Sequence, residues 1–147
     1  MIFERTIRWY ISFITQPFFV AAAILLLIEA SYRIPSMTWF SLTLATPLSW
    51  LVRLGGAGYV GYSIGRDTKH VYAAATGGAL FGIPMGILYF IFSALRRLTL
   101  AGPNFYGIFG GFDVFFAVIS EAIICAFFAA VGAVLAGAQL RSIEDAS

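Results

Sequence analysis

Charge is what this chain most lacks. Only 11% of its 147 residues are Asp, Glu, Lys or Arg, against about 25% in soluble domains. A soluble domain of this length could not bury the 61% that are apolar. Lipid is therefore expected to be the solvent for most of the chain, which has a mean hydropathy of +0.91. The length allows one domain, a single transmembrane unit over residues 1–147, with no soluble catalytic module beside it.

Reactive side chains are equally scarce. One cysteine, Cys125, excludes an internal disulfide and a cysteine-based metal cluster, and reads as a small packing residue. One histidine, His70, excludes haem held by two histidines of one chain and leaves a zinc site short of ligands. The net charge of +2 comes from scattered basic residues, which argues against nucleic acid as a partner. Gly55-Gly56-Ala57-Gly58 is not followed by the lysine of a phosphate-binding loop. No nucleophile–base pair stands out. The expectation is a non-enzymatic protein with no catalytic residue, cofactor or metal.

What the chain has in quantity is long apolar runs. The pattern predicts an all-α integral membrane protein with four spans at about 9–30, 47–64, 71–95 and 114–140, each near the ~20 residues a bilayer requires. The run from Trp9 to Ala30 is too long for the h-region of a signal peptide. Thr46-Pro47 reads as an N-cap with proline at the first helical position, leaving Trp39 to Leu44 along the interface. The alternative is one tilted helix kinked at Pro47. A short polar turn over Gly65 to His70 makes spans two and three an antiparallel hairpin. Arg96 and Arg97 are expected to stop span three, and an aromatic, glycine-rich linker over residues 98–111 precedes the last span, with Asp113 as its N-cap. Glu29 and Arg33 are spaced to pair at the interface.

Basic residues suggest the orientation. Arg5, Arg8, Arg66, Lys69 and Arg141 fall on one side of a four-span chain, Arg33, Arg96 and Arg97 on the other. The excess of positive charge places both termini in the cytoplasm.

Small residues recur at every fourth position in three stretches. They are Ala57, Gly61 and Gly65 after Arg53; Ala74, Gly78, Gly82 and Gly86; and Ala129, Ala133 and Gly137 after Glu121 and Cys125. Such positions share one helix face, and small faces let helices approach closely in lipid. All ten small residues are expected to pack against other helices. Arg53 and Glu121 each head such a stripe, which makes them a candidate buried charge pair. At ~1.5 Å per residue Arg53 lies ~18 Å from Gly65, and Glu121 ~24 Å from Gly137. If those two glycines share a level, the charges differ by about one turn, within reach of an arginine stem.

Three readings of the two charges follow: a pair that specifies packing, two residues solvated in the headgroups, or a site on an ion, proton or substrate path. For the whole chain, two functional classes stand. One is a packing or accessory subunit that associates with lipid and with itself or other membrane proteins. The other is a small oligomeric channel or transporter with its path at Arg53 and Glu121.

Overall fold

The computed structural model describes residues 6–100 and 111–144, and among them every regular element is helical. Helix α1 covers Ile7–Ser31, a 3-10 turn Pro35–Met37, α2 Thr38–Thr43, α3 Ala45–Thr68, α4 Val71–Leu100 and α5 Gly111–Glu144. Three of these, over Ile7–Ser31, Val71–Leu95 and Val114–Gln139, are long and apolar enough to cross a membrane. The chain is therefore an all-helical protein of membrane type.

The helices satisfy their own polar groups, as an apolar solvent demands. Ser12, Thr15, Thr43 and Ser120 are exposed and Thr76 is half-buried, and each hydroxyl donates back to a carbonyl three or four residues earlier in its own helix. Large apolar side chains point outward, among them Phe19, Leu27, Leu51, Ile123 and Phe127. The centre is filled instead by small residues: Ala57, Ala74, Cys125 and Ala129 have no exposed surface. Ile64, Phe81 and Met85 close the remaining core. This inverts the soluble pattern, because helices in lipid gain from close packing rather than from hiding bulk.

Several boundaries differ from the sequence expectation. Helix α3 begins at Ala45, two residues before Pro47, and a single residue, Leu44, separates it from α2. The ladder nearly continues across the break, with Leu44 N–H donating to Phe40 O and Leu48 N–H to Leu44 O. Pro47 has no N–H to offer Thr43, and its ring crowds that carbonyl, so the chain bends one turn upstream of the proline. The expected helix start near Pro47 thus falls two residues earlier, and a separate short helix, α2, occupies most of the stretch expected along the interface. The turn between α3 and α4 is shorter than Gly65 to His70. Helix α3 runs on to Thr68, and the reversal is made at Lys69, whose φ of 58° is left-handed. Its N–H closes the helix on Gly65 O at 2.8 Å. Helix α4 passes through Arg96 and Arg97 to Leu100, so those arginines do not end it. Asp113 lies inside α5 rather than capping it. The rest of the linker, residues 101–110, lies outside the described residues.

Helices α3, α4 and α5 form the bundle that matters for the charges. Gly61 and Gly65 of α3 face Ala129 and Ala133 of α5, so these two helices run parallel at a constant offset. Gly78, Gly82 and Gly86 of α4 descend past Ala129, Ala122 and Val118, so α4 is antiparallel to α5. Helix α1 packs on α3 and α4 from the outside.

Candidate functional site

The site is built where the α3–α5 register brings one charge level with the other. Gly61 meets Ala129 and Gly65 meets Ala133, both 68 positions apart. The same step carries Ala57 to Cys125 and Arg53 to Glu121. The offset assumed from Gly137 was therefore one turn too long. Gly65 is level with Ala133, the supposed one-turn difference in depth vanishes, and the two charges stand opposite each other.

Arg53 Nη1 donates to Glu121 Oε2 at 2.8 Å. Both side chains are almost wholly enclosed, 1% exposed for Arg53 and 5% for Glu121. Arg53 Nε points back to Ser49 O at 3.4 Å, which holds the stem against its own helix. The guanidinium carbon lies 4.2 Å from the Trp50 ring centre and 4.5 Å from that of Tyr89. Those aromatic faces attract the cation and keep it flat. On the other partner, the Cys125 thiol approaches Glu121 Oε1 at 3.9 Å, so each carboxylate oxygen faces a donor. A charge paired and hydrogen-bonded in this way avoids most of the penalty of burial.

The small residues divide into those that face a helix and one that does not. A Cβ on Gly61 would overlap the Ala129 backbone. One on Gly65 would sit 2.6 Å from Ala133 Cα, and one on Gly82 would lie 2.7 Å from both Ala122 Cα and Glu121 O. Gly78 abuts Ala129 and the Cys125 carbonyl, and Gly86 comes against Val118 and the Ala117 carbonyl. Ala57 and Ala74 are fully buried. The glycines of the α3–α4 hairpin thus turn mainly toward α5, not toward each other. Gly137 is the exception, since a Cβ there would meet nothing within 4 Å. By the α3–α5 offset it is level with Lys69, just past the end of α3, so no helix stands opposite.

Some contributors were not read from the sequence. Gly77 packs under Ile64, Gly56 under the Phe81 ring, and Gly132 against the Gly58 carbonyl. Trp50 lies three residues before Arg53, a spacing that places both on one helix face and could have been noticed. Tyr89 gives no such signal, because its place depends on how α4 packs. Glu29 turns inward and is buried while Arg33 stays exposed. Glu29 and Arg53 line one cavity of about 50 Å³ between α1, α3 and α4. His70 is exposed, and its backbone N–H donates to Thr68 Oγ1 at 3.2 Å. Among the described residues, no three His, Cys, Asp or Glu side chains come together as metal ligands. Comparison with protein-family models, with curated proteins and with solved structures finds no match to this chain.

Proposed function

We propose that this is a four-span membrane protein with both termini in the cytoplasm, acting as a non-enzymatic packing subunit of a membrane assembly, with copies of itself or with other membrane proteins. The observation that carries the reading is the enclosure of Arg53 and Glu121 by their own bundle. A pair satisfied inside one chain serves packing without a ligand. Helix α3 is taken as the fourth span although it is the least apolar. Its 24 residues reach about 36 Å, enough for a hydrocarbon core. Its arginine is paired, and its Gly61 and Gly65 are covered by α5. The outer surface offers an apolar groove of about 410 Å³ between α1 and α3, where Gly55 presents open backbone.

The test is reconstitution in liposomes at low protein-to-lipid ratio, with mass and ion flux measured together. A defined oligomer without flux supports the subunit reading. Flux that disappears in Arg53→Met with Glu121→Leu overturns it in favour of the channel or transporter. That second reading is favoured by one feature, the cavity beside Arg53. Labelling a cysteine placed after Ser147 only from the outside would reverse the orientation.

A further inference from the structure

We propose that the cavity between α1, α3 and α4 is a water site, a short hydrated inlet that ends on the open edge of the Arg53 guanidinium. The argument begins with hydrogen-bond capacity. A guanidinium carries five N–H donors. Among the described residues Arg53 uses Nε toward Ser49 O and Nη1 toward Glu121. Its Nη2 finds no protein acceptor there. Yet no buried side-chain nitrogen or oxygen is left without a partner among the described residues. Nη2 therefore keeps a trace of accessible surface, and the void that Arg53 lines supplies it.

The walls fit water better than lipid. Residues 46, 49, 50 and 53 of α3 line the cavity at one-turn spacing, and residues 25, 28 and 29 of α1, with Tyr32 just past its end, do the same from across. Thr46 and Ser49 bring hydroxyls, and Glu29 brings a carboxylate. A buried water needs two to four polar partners, and these groups supply both donors and acceptors. The volume of about 50 Å³ holds a few waters at roughly 10–15 Å³ each. Trp50 and Tyr89 both lie against the guanidinium, which narrows the part of it that water can meet.

The inference rests on the four-span reading only for the lipid around the bundle, and its experiment separates the two. In a Cys125→Ser background, Ser49→Cys, Ala45→Cys and Leu51→Cys are made singly. Ala45 is fully buried yet lines the cavity, whereas Leu51 is 68% exposed on the outer face. Membranes are treated with silver ion in chloride-free buffer, and the thiols left unreacted are counted with a maleimide after denaturation. The thiolate is the metal ligand and needs water to form, so the cavity positions should react at least about tenfold faster than Leu51→Cys. Either cavity variant suffices if the other fails to fold. Cavity thiols as slow as Leu51→Cys overturn the inlet and leave the spans standing. Fast reaction at Leu51→Cys overturns the four-span reading, and with it the inlet.

Discussion

Helix α3 meets α5 along much of its length, and two of these meetings use opposite solutions. At Gly61 and Gly65 nothing stands between the backbones, and the contact is made by absence of side chains. Two turns further along, at the same offset, the gap is bridged by the longest side chain available, ending in a charge. The glycine contact is strong in shape but indifferent to partner, since any small face would fit. The charged contact is selective, because between Asp113 and Glu144 near its two ends α5 offers a carboxylate at one level only, Glu121. The first sets distance and the second sets register.

The comparison breaks most severely at the glycine end. Gly61→Leu should give little or no monodisperse protein by size-exclusion chromatography, because its Cβ alone would collide with the Ala129 backbone. The cost should exceed the roughly 1–3 kcal/mol of ordinary overpacking. Gly137→Leu, with open space around it, should leave the yield unchanged. Equal yields would mean that α3 and α5 are not in contact.

Next in size is the charged end. Glu121→Gln or Arg53→Met alone should lower stability by about 3–5 kcal/mol, since each strands a buried partner. The double change Arg53→Met with Glu121→Leu should recover most of that loss. Denaturation in mixed micelles measures all three. A double variant as weak as the singles would place the stability in the individual side chains and not in the pairing.

A smaller effect should come from the aromatic cover. Trp50→Leu should cost about 0.5–2 kcal/mol through loss of its contact with the guanidinium. The same substitution in the Arg53→Met background should cost less, and an undiminished cost would assign Trp50 a packing role alone. The smallest change concerns the α3–α4 reversal, outside both contacts. Lys69→Gly relieves a left-handed residue and should raise stability by about 1 kcal/mol or less. A loss there would show that the lysine side chain contributes more than its backbone costs.

The sequence carried the helices and the pairing further than the boundaries. Apolar runs mark α1, α4 and α5 because lipid imposes length and composition on each separately. Arg53 and Glu121 could be matched because both head small-residue stripes on their own helices. The register was misjudged by one turn because Gly137 resembles a packing position by spacing alone. What denies it a partner is the end of α3, which depends on the left-handed turn at Lys69. The aromatic cover was half legible: Trp50 is local to Arg53, whereas Tyr89 arrives from α4 and required the tertiary structure. The inward turn of Glu29 is likewise a property of packing, invisible in its spacing to Arg33.

The separation of 68 positions between the paired charges also has a consequence in time. On the four-span reading, Arg53 is synthesised and presented to the membrane long before Glu121 exists. An arginine at such a depth costs roughly 2.5–3.5 kcal/mol on insertion scales while it waits. Helix α3, already the least apolar of the long helices, then has the weakest claim on the bilayer until α5 follows it. The last helix is thus the one that commits the middle of the chain, and a ribosome halted before residue 121 would leave α3 held only by its neighbours α1 and α4.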